Sequence, residues 1–186
     1  MPPEKQIVPS AKTRTWKLST VLSLILGALG AVGIIELRPQ VTVLPQESIE
    51  KSQPFSVPFR IDNSGYLSFH VDHVFGYGHK IKVGGMTIEQ GTLHQPDWNN
   101  FELGRGESKT IITNWVHAPI VPSAADVAIV VDVRPFRWFP WSFRRYFRFT
   151  GAYVDNWQWL AQPPGPIQKD ADRQIEDHMR HIPSSR

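Results

Sequence analysis

Aromatic and arginine residues alternate through one segment of the chain, from Pro135 to Phe149. Trp and Tyr favour the headgroup depth of a membrane, where Arg meets lipid phosphates. Trp and Arg are also frequent anchors of protein interfaces. We therefore predict a binding surface in this segment. Its predicted residues are Trp138, Trp141, Phe143, Arg144 and Arg145.

The same composition fits two other interpretations. In one, the segment is a hairpin bent at Pro140, whose rings pack in the core while its arginines stay in water. In the other, nucleic acid bases stack on the rings. We expect no nucleic-acid partner, because the net charge of +3 is small and the N-terminal segment described below predicts export of the domain.

Several histidines lie close enough in sequence to raise the question of a metal site. His70 and Asp72 share one face of a predicted strand, whereas His73 points to the opposite face unless a β-bulge intervenes. His79 and His94 follow at wider spacing. We therefore expect partly buried, hydrogen-bonded histidines and no metal site. The sequence has no cysteine, which excludes disulfides, thiolate metal sites and cysteine nucleophiles.

The sequence carries no catalytic or cofactor motif that we recognise. A nucleophile elbow, an HExxH zinc motif, a phosphate-binding glycine loop and a dinucleotide fingerprint are all missing from it. The stretch from Gly104 to Gly106 lacks the spacing of a phosphate loop and precedes a predicted strand, so it indicates a turn. We expect no cofactor and no enzymatic activity. An enzyme with an unrecognised site is the third-ranked hypothesis.

An uncharged run near the start of the chain predicts a membrane anchor. No residue from Leu18 to Ile35 is charged, and a helix of that length, at about 1.5 Å per residue, crosses most of a hydrocarbon core of about 30 Å. Basic residues dominate the preceding tail, which places the N-terminus in the cytoplasm. We predict a cytoplasmic tail over residues 1–17, a single transmembrane helix over residues 18–37, and an exported domain that is periplasmic or extracellular.

Two features of this run allow further interpretations. Small residues from Ala28 to Gly30 fit a signal-peptidase site, although the apolar stretch continues beyond them to Ile35. Ser23, Gly27 and Ala31 recur every four residues, a stripe that would let two helices approach closely and form a homodimer. Such small residues are also common in spanning helices that do not associate.

The remaining chain has the alternation of an antiparallel β domain. Phe55, Val57, Phe59 and Ile61 alternate with polar residues, and Val127 to Val133 repeat the pattern. About seven to nine short strands with frequent turn residues predict an immunoglobulin-like sandwich over residues 38–162, and a small β-barrel is the alternative. Residues 163–186 are predicted to be a Pro-rich linker and a polar tail, within which Ile167 to His181 could form a short helix.

These features favour a non-enzymatic interaction or scaffolding module of the cell envelope. Its expected partners are the lipid bilayer, through residues 18–37, and a membrane or envelope protein. The alternative is a lipid-binding or small-ligand-binding β domain with an apolar cavity. An apolar cavity would favour that alternative, whereas a filled core with exposed tryptophans would favour the interaction module.

Overall fold

The computed structural model describes residues 23–24, 27, 39–47, 57–113, 122–153, 157–165 and 167–181. Most of the predicted membrane segment, including Ala31, lies outside this part of the chain, whereas Ser23, Leu24 and Gly27 are helical. Among the described residues, no helix has the length and apolar character needed to cross a membrane. The transmembrane helix over residues 18–37 therefore stays a prediction. The chain divides into two compact units, residues 1–38 and 39–186, and the second is the β domain.

Antiparallel strands form two sheets in the second unit. The strands in chain order are β1 Val41–Pro45, β2 Pro58–Asn63, β3 Phe69–Val83, β4 Met86–Leu93, β5 Phe101–Leu103, β6 Ser108–Ile112, β7 Ala124–Arg134, β8 Phe143–Tyr153 and β9 Trp157–Gln162. The smaller sheet has the order β1-β2-β6. The larger sheet has the order β4-β3-β7-β8-β9, and β5 pairs with the first residues of β3.

The main core lies between the inward faces of these sheets. Phe59 of the smaller sheet contacts Phe149 and Trp159 of the larger one, with ring centroids 5.0 and 5.8 Å apart. The alternating valines and isoleucine of β7 pack in the same cluster. The domain is therefore mainly β and sandwich-like. Within the described residues each sheet ends in edge strands and does not close on itself, so the small-barrel alternative is wrong.

A helix, α1, Ile167–His181, covers part of the outer face of the larger sheet. Ile167, Ala171 and Ile175 are buried there in a second apolar cluster. Their partners on the sheet are Phe75, Tyr77, Ala128 and Val130. The helix has the bounds predicted from the sequence, but its packing on the sheet was not predicted. Because α1 covers one face and the core the other, β7 is buried on both sides over most of its length.

Strand β3 contains two irregularities that the sequence pattern did not reveal. Its register with β7 shifts between Val71 and His73 and again between Gly78 and Lys80. An extra residue at the first shift restores His73 to the face that carries His70. The two histidines were expected on opposite faces unless a β-bulge intervened, and this bulge places them on the same face.

Candidate functional site

The connection between β7 and β8, which we call the aromatic tip, consists of residues 135–142. Its backbone is fixed by Arg134, whose Nη1 donates to the carbonyl oxygens of Arg137 at 3.2 Å and Phe139 at 3.3 Å. Within the tip, the Phe139 amide donates to the carbonyl of Phe136 at 2.9 Å. The tip is therefore a structured turn, and little conformational entropy remains to be lost when it binds a partner.

Arg134 is in turn fixed by a buried carboxylate. Its Nε donates to Oδ2 of Asp72 at 2.8 Å, and its Nη2 lies 2.7 Å from Oδ1 of the same residue. His70 Nε2 lies 3.7 Å from Asp72 Oδ1. Asp72 occupies the first bulge of β3, so this bulge aims the carboxylate at the base of the tip.

The tip presents large aromatic rings to solvent. Trp138 is 78% exposed, Trp141 is 69% exposed and Phe136 is 38% exposed. The rings of Phe136 and Trp138 stack in parallel with centroids 5.3 Å apart, and those of Phe139 and Trp141 meet edge to face at 5.5 Å. Paired rings of this kind hold one another in fixed orientations. Exposed, oriented tryptophans are an unusual apolar surface for a protein to leave in water.

The five residues predicted as a binding surface do not lie together. Trp138 and Trp141 are in the tip, but Phe143 packs against the main core from the start of β8. Arg144 lies on the outer face, and Arg145, which is half-buried, is one residue further along the strand. The structure therefore places only the two tryptophans of this set in the tip, and adds Phe136 and Arg137 to them.

Arg144 and Arg148 of β8 form ion pairs within the domain. Arg144 donates Nε and Nη2 to the two carboxylate oxygens of Asp132, at 2.8 and 2.9 Å, and Nη1 to Asp172 of α1 at 2.8 Å. Hydrogen bonding to Asp132 raises the pKa of Arg144 further above its usual value. Arg148 makes the equivalent double contact with Asp126, at 2.9 and 2.8 Å. Both arginines therefore join β8 to β7 through charged hydrogen bonds.

Tyr146 joins the same outer-face network. Its hydroxyl donates to Oδ1 of Asp172, the oxygen that also accepts from Arg144. Burial, followed by this hydrogen bond, raises the pKa of Tyr146 well above its usual value. Asp172 therefore connects α1 to two residues of β8, and this polar contact lies beside the apolar contact of the helix.

Three histidines from different elements meet where α1 passes β4. The ring of His94, just after β4, stacks on Phe75 at 4.9 Å and lies 6.0 Å from His73 and 5.8 Å from His178 of α1. His94 Nε2 hydrogen-bonds Oδ1 of Asn99 at 3.0 Å. Burial lowers the pKa of His94, the neighbouring His73 and His178 lower it further, and the Asn99 contact opposes them.

An open cleft adjoins this histidine cluster. It has a volume of about 300 Å³, and its lining residues are Thr92, Gln174, Asp177, His178 and His181. In the part of the chain that the structure describes, no three His, Asp or Glu side chains are placed to hold a metal ion together. Thr92 Oγ1 and His73 Nδ1 are buried without a hydrogen-bond partner among those residues. The cleft lies outside the main core.

The aromatic tip shares its end of the sandwich with the first residues of the domain. Strand pairing shows this, because Val41 lies opposite Asn63, Phe69 opposite Leu103, and His70 opposite Arg134. The side chain of Asn63 ties the segments together by donating to the carbonyls of Leu67, Leu103 and Gly104, at 2.8, 3.0 and 3.1 Å. We call this the tip end of the domain.

Two loops of the tip end expose further apolar and basic groups. Tyr66 and Leu67, between β2 and β3, are both exposed. Arg105, in the turn between β5 and β6, lies over the Tyr66 ring with its guanidinium carbon 5.0 Å from the centroid. Ser64 at the start of the same loop donates its amide to the carbonyl of Gln40 at 2.9 Å.

Sequence reasoning missed both of these groupings. Tyr66 and Arg105 are 39 positions apart in the sequence, and only the two-sheet topology brings their loops to one end. His94 and His178 come together because α1 docks on the sheet, which the polar composition of α1 did not signal. A usable signal for the helix was the spacing of Ile167, Ala171 and Ile175, four residues apart on one helical face.

Comparison of the sequence with models of known protein families, and separately with curated proteins, finds no match. The functional assignment below is therefore argued from residues and geometry.

Proposed function

We propose that the protein is a membrane-anchored, non-enzymatic interaction module of the cell envelope. Its anchor is the predicted helix over residues 18–37, and its binding surface is the aromatic tip. The observation that carries this proposal is the exposure of Trp138 and Trp141 on a turn that Arg134 and Asp72 hold in place. A binding surface that is already ordered loses less free energy to ordering when its partner arrives.

We further propose that the domain is an immunoglobulin-like sandwich. The strand orders β1-β2-β6 and β4-β3-β7-β8 match the arrangement in which strands A, B and E face strands C′, C, F and G, with β9 added beyond the last strand. Such domains carry their binding loops at the ends of the sandwich. The aromatic tip corresponds to the connection between strands F and G, which supports its assignment as the binding loop.

The packing between the two sheets favours an interaction module rather than a protein that carries apolar ligands. Phe59, Val127, Ile129 and Phe149 each have almost no exposed surface and fill the space between the two sheets. The cleft beside α1 is lined by polar and titratable side chains. That cleft is open to solvent, so it is not the enclosed apolar cavity that a carrier of apolar ligands requires.

Photo-cross-linking in the cell's own membranes tests the proposal. A photoreactive amino acid replaces Trp138, and the matched control carries it at Met86, which is 67% exposed in the turn at the opposite end of the domain. We expect adducts at position 138, to protein or to lipid, and few at position 86. Equal yields at the two positions, or none at position 138, would refute the aromatic tip as the binding surface.

A further inference from the structure

We propose that the tip end of the domain binds the surface of a phospholipid bilayer. Trp138 and Trp141 would lie at headgroup depth, with Arg137 and Arg105 on lipid phosphates. This inference depends on the proposed function, because it requires the domain to be held at a membrane, and it names the partner of the aromatic tip. Its first support is the position at which the chain enters the domain.

The chain arrives at the tip end from the predicted anchor. Pro39 and Gln40 are the first residues of the β domain, and Gln40 is hydrogen-bonded to the loop that exposes Tyr66. Only residues 36–38 separate Pro39 from the uncharged run that ends at Ile35. The predicted anchor is therefore joined in the sequence to the tip end of the domain by only a few residues.

The exposed side chains of the tip end suit the interfacial layer of a membrane. Trp138 and Trp141 are exposed, whereas Trp98, Trp157 and Trp159 are buried. Indole rings are enriched at headgroup depth because their apolar body and polar N–H match that layer. Tyr66 has the same two-sided character and belongs to a separate loop. A bilayer surface can accept rings from both loops at once without a preformed pocket for each.

The basic groups at this end complement phosphate. Arg137 is exposed in the aromatic tip, and residues 135–142 contain no acidic residue. Arg105 is exposed beside Tyr66, while the nearby Glu107 carboxylate accepts a hydrogen bond from the Gly104 amide at 2.7 Å. Guanidinium groups donate in a planar fork that fits phosphate oxygens. Phosphate is present in every phospholipid, so the chemistry recognised is the headgroup layer.

The absence of cysteine from the sequence makes a direct test simple. The full-length chain, reconstituted in vesicles of phosphatidylcholine and phosphatidylglycerol, carries one cysteine labelled with an environment-sensitive fluorophore. Ser142→Cys reports from the exposed side of the aromatic tip, and Thr87→Cys reports from the exposed start of β4 at the opposite end. We expect a blue-shifted emission and quenching by spin-labelled lipid at position 142, and neither effect at position 87.

Exchanging the tip side chains tests the residue assignment. Two variants are made in the Ser142→Cys background, one with both Trp138→Ser and Trp141→Ser and one with Arg137→Gln alone. Both should reduce the quenching, and the double tryptophan variant should reduce it more. These side chains are exposed, so the unfolding midpoint in urea should not change. Undiminished quenching in the double variant would show that the tip side chains do not hold the domain on lipid and would overturn the inference.

Three further outcomes distinguish failure of this inference from failure of the proposed function. Equal quenching at positions 142 and 87 overturns the inference, because the tip end is then no closer to lipid than the opposite end. If Trp138 forms adducts only with a protein in native membranes, the proposed function stands and the bilayer assignment fails. If the chain does not insert into vesicles and is removed by alkaline washing, both fail.

Discussion

At the scale of single residues, a glycine and a tryptophan fix how β9 packs on β8. A Cβ built on Gly151 would lie 2.5 Å from Cζ2 and 2.7 Å from Cε2 of the Trp157 indole. That ring has little room to move, because it is buried and meets Trp159 edge to face at 5.2 Å. The missing side chain at position 151 is therefore part of the packing between the last two strands.

We predict that Gly151→Ala lowers the free energy of unfolding by about 1–3 kcal/mol, because the added methyl group must displace a buried ring. The matched control is Gly91→Ala in β4, where an added Cβ would meet nothing within 4 Å. The control should be neutral or slightly stabilising, since alanine loses less backbone entropy on folding. Urea unfolding of both variants measures the difference, and equal midpoints would contradict the packing described.

At the scale of secondary structure elements, we predict that the attachment of α1 to the sheet depends on pH. The contact combines the buried side chains of α1, the Asp172 contacts to Arg144 and Tyr146, and the histidine cluster. A protonated His94 would carry its charge on a ring whose centroid lies 6.0 Å from that of His73 and 5.8 Å from that of His178. Protonation of His94 therefore opposes docking of the helix.

The direction of the pH effect follows from the pKa of His94, which burial lowers from its usual value of 6.5. Its proton binds more readily when α1 is detached, so the attachment is strongest above pH 6.5 and weakens as the pH falls through the lower pKa of the docked state. Other titratable side chains line the same cleft, namely Asp177, His178 and His181 of α1. Asp132, opposite His73 on β7, is already paired with Arg144.

Hydrogen exchange of the α1 amides, corrected for the intrinsic rate at each pH, measures this attachment. Exchange should be faster below pH 6.5 than above it in the natural sequence. His94→Phe keeps a ring to stack on Phe75 but cannot be protonated, so its α1 protection should change less with pH. If the two proteins show the same pH dependence, His94 is not the responsible group.

At the scale of the whole molecule, the predicted topology places the two ends of the chain on opposite sides of a membrane. Lys5, Lys12, Arg14 and Lys17 precede the uncharged run with one acid, Glu4, so the N-terminus is expected on the cytoplasmic side. The β domain is then on the other side.

Labelling single cysteines with a membrane-impermeant maleimide tests the topology. Thr87→Cys, exposed on the β domain, should react in intact cells once the outer barrier of the envelope is opened, whereas Ser10→Cys should react only after the inner membrane is permeabilised. The cysteine-free parent is the background control. Reaction of both positions before permeabilisation would contradict the orientation, and loss of residue 10 from the mature protein would indicate a cleaved signal peptide.

Local alternation was sufficient to predict a large part of the fold. The alternating apolar residues of β2 and β7 and the turn from Gly104 to Gly106 lie where the sequence placed strands and a turn. Gly106 has a positive φ, a conformation that residues with a Cβ seldom adopt. These features depend on near neighbours in the chain, so the sequence alone determined them.

Long-range arrangement was decided only by the tertiary structure. An alternating sequence pattern does not reveal the bulge at Asp72. This bulge moves His73 to the other face of the strand and places the Asp72 carboxylate in contact with Arg134. Arg144 looks like a free basic group in sequence, but it is paired with aspartates from β7 and α1. The sequence alone determined the alternation of strands such as β2 and β7, and it showed which side chains have the chemistry to bind a partner. Tertiary contacts determined which of those side chains are already paired and which remain exposed. The reason is that the partner in an ion pair or a ring contact can be distant in the chain.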